Sequence, residues 1–120
     1  MSNKLETWRF GIDNDKLVKL VLSGKKVATT SLFDEKDIPI IGEESILVFS
    51  NNKKACITKT KKVIITEFKN IKEELSNLEG EGNFKKWKNE HIKYFKSIDS
   101  NFNENTKVCF EIFEVTKKFI

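Results

Sequence analysis

Apolar residues recur at the spacing of an α-helix in the first quarter of this chain. Leu17, Leu20 and Val21 fall on one helical face and are followed by Gly24. Glycine is favoured just past a helix end because it adopts the left-handed conformation there without steric cost. The pattern therefore predicts a first helix over about residues 14–23.

A second helical pattern lies in the later half of the chain and is interrupted once. Ile71, Leu75 and Leu78 share one helical face within residues 68–78. A glycine-containing stretch follows, and Asn83 is then a favourable residue to cap a further helix. That helix carries an apolar and aromatic stripe made of Phe84, Trp87, His91 and Phe95 or Ile98.

Apolar and β-branched runs of strand length occupy most of the remaining sequence. Residues 27–33 and 45–50 each predict one strand, and residues 34–44 predict the loop between them. Residues 55–68 predict one long bent strand or two short ones, and residues 107–119 predict a closing strand. Five or six strands with two or three helices indicate an α+β fold, for which a small, strongly curved β-barrel with flanking helices is a suitable form.

The length and composition are those of one globular domain. The chain has 120 residues, of which 38% are hydrophobic, so we expect a single domain over residues 1–120. No apolar run approaches the roughly 20 residues that span a bilayer. Residues 1–12 have the pattern of a short extended arm and lack the apolar core of a signal peptide. These observations predict a cytoplasmic protein with no membrane partner.

The charged and metal-ligating residues exclude some classes of site. The net charge is +4, and all but one of the 22 basic residues are Lys, which gives a weak general attraction to phosphate rather than base readout. His91 is the only histidine, and Cys56 and Cys109 lie in apolar, strand-like segments. We therefore expect buried free thiols, no dedicated metal site and no cofactor.

The junction between the first helix and the first long strand concentrates polar groups beside the predicted core. Lys25 and Lys26 follow the helix end, and Thr29 and Thr30 lie in the strand. In a regular strand, positions 26 and 29 face opposite sides, so Lys26 and Thr29 converge only if the backbone bends after Lys26. The alternative is that Lys25 interacts with the helix end and that both threonines are ordinary strand formers.

Two glutamates alternate with two glycines in the segment EGEG, residues 79–82. Gly80 and Gly82 permit backbone conformations that are closed to other residues, or a close approach by a ligand. Glu79 and Glu81 can then point in different directions, one toward solvent and one toward a cavity. The alternative is a flexible loop with solvated acids.

Two further polar features accompany apolar faces. Trp87, His91 and Tyr94 stand at positions i, i+4 and i+7 of the last helix, where a lone histidine is more often a packing residue than a catalyst. Glu111 lies in the middle of the apolar closing strand. If its face is buried, Glu111 needs a partner or a raised pKa, and Lys26 is the candidate partner. On an edge strand, Glu111 would lie in water.

Taken together, four segments resemble the ASCH domain family, a branch of the PUA-like superfold. They are LVLSGKKVATTSLF, IPIIGEESILV, EGEGNFKKWKNEHIKYF and VCFEIFEV, and they cover most of the chain in the family's order. The first segment holds the family signature, Gly24, Lys26 and Thr29, and the EGEG segment is typical of the family's larger type. The resemblance implies a small PUA-like β-barrel whose helices flank a cleft.

The resemblance also implies a nucleobase-containing ligand, either a nucleoside or RNA. The family was proposed to bind RNA, and certain bacterial members look like amidohydrolases that act on N4-acylated cytidine. In those members a Lys and a Thr of the signature and a later Glu carry catalysis, and by motif position these correspond to Lys26, Thr29 and Glu81. The residues expected to contact the ligand are Lys25, Thr30, Glu79, Trp87, His91, Tyr94 and Glu111.

The implied chemistry assigns one role to each catalytic group. Lys26 would take the proton of Thr29, Thr29 would attack the amide carbonyl, and Glu81 would protonate the departing amino group. Trp87 or Tyr94 would offer a stacking surface for the base.

Two alternative functions stay open. One is a non-catalytic RNA-binding module with a Lys-lined groove, whose affinity falls steeply with salt. The other is a ribonuclease that needs a divalent cation held by convergent carboxylates such as Glu81 and Glu111.

Overall fold

One five-stranded sheet organises residues 5–120, the part of the chain that this computed structural model describes. Residues 1–4 of the predicted N-terminal arm lie outside the described residues. The strands are β1 (Thr7–Trp8), β2 (Ala28–Leu32), β3 (Glu44–Val48), β4 (Lys54–Glu67) and β5 (Lys107–Lys118). The α-helices are α1 (Asn14–Leu22), α2 (Glu73–Ser76) and α3 (Phe84–Ile98).

The sheet has the order β1-β3-β4-β5-β2, and only the β1–β3 pair is parallel among these strands. Strand β4 runs unbroken over 14 residues, so the first of the two predicted alternatives, one long strand, is the one observed. Its pairing with β5 shifts register twice, between Ile57 and Thr58 and between Thr60 and Lys62. Such bulges increase the local twist and bend the strand, which curves the sheet around its concave face.

The sheet separates two apolar cores. Val18 and Val21 of α1 pack in one core with Phe113 of β5. Trp87 of α3 packs in the other core, which we name the α3-side core, with Phe110 of the same strand. Positions 110 and 113 differ by an odd number, so their side chains leave β5 on opposite faces. The aromatic residues of the sequence thus supply both cores.

The first and last helices form where the sequence predicts them. Helix α1 ends at Leu22, and Gly24 follows with a φ of 83°, the left-handed conformation expected after a helix end. Helix α3 begins after Asn83, whose side chain accepts a hydrogen bond from the backbone N–H of Lys86 at 2.8 Å. Both ends are therefore set by local sequence signals.

Residues 68–78 do not form the continuous helical face that their spacing predicts. They fold into a 3₁₀ turn at Phe68–Asn70, the short α2, and a second 3₁₀ turn at Asn77–Glu79. Ile71 and Lys72 between them have extended backbone, with ψ angles of 100° and −178°. The chain breaks there because Phe68 and Ile71 both enter the α3-side core from a turn. Helical spacing does not distinguish such a turn from a helix.

The architecture confirms the α+β class, and the sheet is curved as predicted but is not closed into a barrel within residues 5–120. The sheet is open, and its two edge strands, β1 and β2, line one cavity. In residues 5–120, no helix combines the length and apolarity that crossing a bilayer requires. Cys56 and Cys109 are buried free thiols, as predicted, and burial raises the pKa of each to about 11.

Candidate functional site

A cavity of about 720 Å³ lies between the open edges of the sheet, the EGEG segment and α3. Eight of the ten residues singled out from the sequence line it: Lys26, Thr29, Thr30, Glu79, Glu81, His91, Tyr94 and Glu111. The fold therefore brings together groups that are more than 80 residues apart along the chain.

Gly80 explains how the EGEG segment reaches Lys26. Its φ is 67°, and a Cβ atom at this position would lie 2.3 Å from the backbone oxygen of Lys25. Glycine is thus required both for the left-handed conformation and for the close approach of two backbones. A hydrogen bond of 2.8 Å from Val27 N to Leu78 O holds the two segments together. This contact places Glu79 and Glu81 on either side of the Lys26 ammonium.

Lys26 is almost completely buried and donates to both glutamates. Its Nζ lies 3.1 Å from Oε1 of Glu79 and 2.6 Å from Oε2 of Glu81. The ring of Phe10 lies below the ammonium, with its centroid 5.3 Å away. Removing an ammonium from water is costly unless it is paired and hydrogen-bonded, and here the two carboxylates and the aromatic face supply that compensation.

Glu79 is completely buried, and its carboxylate contacts three donors. Thr30 Oγ1 donates to Oε2 at 2.6 Å, while Lys26 and Nε2 of His91, which lies 3.5 Å away, contact Oε1. Nδ1 of His91 lies 2.8 Å from the carbonyl oxygen of Trp87. A carbonyl only accepts, so Nδ1 carries a proton, and protonation of Nε2 would add a donor that faces the Glu79 carboxylate. We name Lys26, Thr30, Glu79, Glu81 and His91 the paired cluster.

The environment separates the pKa values of the two glutamates. Burial acts to raise the pKa of Glu79, but the contacts from His91, Lys26 and Thr30 outweigh it and hold that pKa well below its usual range. Burial raises the pKa of Glu81, and the neighbouring Glu79 charge adds to this effect while Lys26 opposes it. Contact with Glu79 raises the pKa of His91 although burial opposes it. Two carboxyl groups with separated pKa values are typical of acid–base sites.

The two adjacent threonines lie on different faces of β2. Thr30 pairs with Phe110 of β5 and bonds to the paired cluster. Thr29 pairs directly with Glu111 and therefore faces the concave side of the sheet. Thr29 is half-buried at the cavity wall. Lys26 and Thr29 thus line one cavity from different directions. The threonine that shares a hydrogen-bonded carboxylate, Glu79, with Lys26 is Thr30.

Glu111 forms a second polar group on the concave side. Thr60 Oγ1 donates to its Oε2 at 2.7 Å, next to the bulge in β4 that aims this threonine inward. The prediction that Lys26 is the partner of Glu111 is therefore wrong, because Lys26 is held by the EGEG segment. Burial, together with the charges of Asp37 and Glu43, raises the pKa of Glu111. We name Glu111 and Thr60 the unpaired cluster, since among residues 5–120 no cationic group lies within 4.0 Å of this carboxylate.

Two of the predicted contact residues, Lys25 and Trp87, do not line the cavity, and Tyr94 lines it while packing against the chain. Lys25 is exposed at the end of α1 and does not line the cavity. Trp87 is 1% exposed and stacks between Phe68 and His91, with centroids 5.5 and 4.4 Å away, so its ring orients the histidine from the core. Tyr94 lines the cavity and packs its hydroxyl closely against Gly11.

Sequence reasoning missed two residues of the site. Phe10 was part of an apolar N-terminal segment, and Thr60 was one threonine in a strand rich in threonine and lysine. Neither residue has a local signal, because each acts through a contact with a distant part of the chain. The proximity of Glu111 to Thr60 depends on the register shift in β4, which periodicity does not reveal.

Glu79, Glu81 and His91 also have the residue types of a metal site. One ligand atom from each lies within 4.8 Å of the other two. The Lys26 ammonium, however, donates to both carboxylates, and its charge opposes a second cation at that point. The residues as arranged therefore fit an ion-paired cluster and do not fit a divalent cation.

The fold and the cavity define a class of protein, an α+β domain of the PUA-like kind with a polar cleft between the open edges of its sheet. The chain belongs to the ASCH domain family, because the family's model matches residues 6–117. This confirms the resemblance found in the sequence. ASCH domains are associated with RNA binding.

Solved structures show the same fold. Protein EF3133 from Enterococcus faecalis is 26% identical, with a TM-score of 0.87 over 99% of this chain and 84% of that one. An ASCH domain from Lactobacillus crispatus is 23% identical, with a TM-score of 0.86 over 95% of this chain and 80% of that one. ASCH from Zymomonas mobilis is 9% identical, with a TM-score of 0.59 over 92% of this chain and 68% of that one. No curated protein matches the chain significantly.

Proposed function

We propose that this protein binds a nucleobase-containing ligand in the cavity and hydrolyses the amide of an N4-acylated cytidine. The observation that supports this proposal is the ammonium of Lys26, shared by two glutamates whose pKa values are separated. A site that cleaves an amide needs a group that takes a proton and a group that returns one to the leaving nitrogen. The cavity volume of about 720 Å³ leaves ample room for an acylated nucleoside.

The distance of 2.6 Å between Lys26 and Glu81 supports a defined course for the protons. Transfer of one proton from the ammonium to Glu81 creates a neutral amine and a protonated acid in a single step. The amine takes the proton of Thr29 while Thr29 Oγ1 bonds to the acyl carbon. Glu81 then protonates N4 as the C–N bond breaks, which releases cytidine and leaves Lys26 and Glu81 in their starting states. Water hydrolyses the resulting ester.

The adjacent threonines offer a matched test of this proposal. We expect the wild type to release cytidine from N4-acetylcytidine, and we expect Thr29→Val to abolish that release because the attacking oxygen is gone. Glu81→Gln removes the acid, and we expect kcat to fall by about 10²-fold or more. Thr30→Val removes the hydroxyl that bonds to Glu79 but retains the nucleophile, so we expect it to keep measurable release of cytidine. Equal rates in the wild type and Thr29→Val would remove Thr29 from the nucleophile role.

A non-catalytic RNA-binding function is the second candidate. The association of ASCH domains with RNA and the net charge of +4 favour it. It predicts that a single-stranded RNA binds without loss of its acyl groups and that its affinity falls steeply as salt is raised. Absence of hydrolysis together with such salt-dependent binding would replace the first proposal with this one.

A further inference from the structure

The charge of the cavity is opposite to that of the whole chain. Eight acidic and four basic side chains line it in the described residues. The full sequence has 18 acidic and 22 basic residues, so its positive excess comes from residues outside the cavity lining. A phosphate group that approaches the protein from solvent therefore meets attraction at the outer surface and repulsion inside the cavity.

Among the cavity carboxylates of residues 5–120 that are not exposed, Glu111 is the one without an ion-pair partner. Glu79 and Glu81 share the Lys26 ammonium, and Glu90 at the rim pairs with Lys86 at 3.8 Å. Glu111 receives one hydrogen bond, from a neutral hydroxyl, and its Oε1 has no protein donor within residues 5–120. The nearby Asp37 and Glu43 add negative charge on the same side of the cavity.

We propose that the cavity selects nucleosides without a phosphate group and that Glu111 is the residue that excludes the phosphorylated forms. This inference rests on the proposed function, since it names the substrate class of the same cavity. A nucleoside has hydroxyl and amino groups that can donate hydrogen bonds to the free oxygen of Glu111. A phosphate offers acceptors and negative charge, which Glu111 and its acidic neighbours repel.

Binding of cytidine and cytidine 5′-monophosphate tests this selection. At pH 8, where the phosphate is a dianion, we expect cytidine to bind the wild type about tenfold or more tightly than its monophosphate. Glu111→Gln keeps the acceptor for Thr60 and removes the charge, so we expect it to narrow this ratio by about threefold or more by strengthening monophosphate binding. Glu114→Gln makes the same change on the same strand outside the cavity, at a residue whose side chain is 49% exposed, and should leave the ratio unchanged.

Salt provides a second measurement that needs no variant. Raising the salt from about 20 mM to about 300 mM screens repulsion, so we expect monophosphate affinity to rise while cytidine affinity stays within about twofold. Phosphate binding to a basic surface has the opposite dependence, because salt then weakens it. This difference in sign separates repulsion inside the cavity from attraction at the surface.

The outcomes distinguish this inference from the function on which it rests. Monophosphate binding that equals or exceeds cytidine binding, or that weakens with salt, would overturn the inference and leave nucleoside binding intact. If the ratio of monophosphate to cytidine dissociation constants is equal in Glu111→Gln and Glu114→Gln, Glu111 does not exclude the phosphate. If neither cytidine nor N4-acetylcytidine nor the monophosphate binds, the proposed function fails and this inference fails with it.

Discussion

The two polar clusters of the cavity show opposite solutions to the burial of a carboxylate. In the paired cluster, Glu79 is completely buried and contacts an ammonium, an imidazole and a hydroxyl. In the unpaired cluster, Glu111 is half-buried and has one neutral donor, Thr60, in the part of the chain that the structure describes. The pKa of Glu79 lies below its usual range and that of Glu111 lies above it. Compensation by positive charge, rather than burial alone, accounts for this difference in sign.

The paired cluster and the unpaired cluster have different roles in the cavity. The paired cluster is fully satisfied by protein groups apart from Glu81, so most of it holds the EGEG segment to the start of β2. The unpaired cluster has an oxygen left for a ligand. Removing members of the first cluster should therefore affect stability, whereas changes in the second should affect ligand selection.

The largest expected effect comes from removing the shared cation. Lys26→Met leaves two carboxylates without their ammonium in a buried site, and we expect the free energy of unfolding to fall by about 3–5 kcal/mol. Urea denaturation measures this loss. Lys86→Met is the control, because its pair with Glu90 is more than half exposed and should contribute less than about 1 kcal/mol. Equal losses in the two variants would contradict the structural importance of the paired cluster.

The close approach of the EGEG backbone gives the next largest effect. Both Gly80 and Gly24 have φ values in the left-handed region, but only at Gly80 does an added Cβ meet another atom within 4 Å. We expect Gly24→Ala to cost roughly 1–2 kcal/mol from conformation alone. Gly80→Ala adds the collision with the Lys25 carbonyl, so about 3 kcal/mol or more is expected. If thermal or urea denaturation gives the same loss of stability for both variants, the backbone of Gly80 does not pack closely against the Lys25 carbonyl.

A pair of threonine substitutions compares the two clusters directly. Thr30→Val removes a donor from a fully buried carboxylate that water cannot reach, and we expect a cost of about 2 kcal/mol. Thr60→Val removes a donor from the half-buried Glu111, which water in the cavity can solvate, and we expect a cost below about 1 kcal/mol. Urea midpoints of both variants supply the comparison. A larger loss of stability in Thr60→Val than in Thr30→Val would mean that the unpaired cluster contributes more to stability than the paired cluster.

The smallest effect is a dependence of stability on pH. The pKa of His91 is raised in the folded state, so its contribution is fully present below the unfolded value of about 6.5 and is lost as the pH rises through the folded value. The lowered pKa of Glu79 acts in the other direction, since its contribution is present above the unfolded value of 4.5 and is lost as the pH falls through the folded value of about 2. We expect His91→Gln to remove the loss of stability at alkaline pH. The loss of stability at acid pH, which Glu79 causes, should remain. Melting temperatures between pH 2 and pH 9 test this, and an unchanged alkaline decline would exclude His91 as its source.

Much of the fold follows from patterns that operate over a few residues. Gly24 and Asn83 set helix ends through local backbone geometry, and the strand over β4 follows from its β-branched composition. Residues 68–78 were predicted wrongly, because a buried turn and a helix can present the same apolar spacing. That choice was decided by how Phe68 and Ile71 fit the α3-side core.

Most residues of the candidate site could be predicted from the sequence, whereas the contacts between them could not. The resemblance to a family pointed to Lys26, Thr29 and Glu81, and all three line the cavity. The partners of these groups were not predictable, since Lys26 bonds to Glu79 as well as Glu81 and since Glu111 bonds to Thr60. Ion pairs and hydrogen bonds depend on distances of a few tenths of an ångström between remote segments.

The amino-acid sequence alone determined the α+β class, the ends of α1 and α3, and the residue types available for chemistry, because propensity, capping and hydrophobic spacing act between near neighbours. Only the tertiary structure decided that Glu79 and Glu81 pair with Lys26 and that the half-buried Glu111 does not. That outcome depends on the approach of Gly80 to Lys25 and on the register of β4 against β5, which are long-range packing events. The ion pairs of Lys26 and the hydrogen bond between Thr60 and Glu111 result from those two contacts.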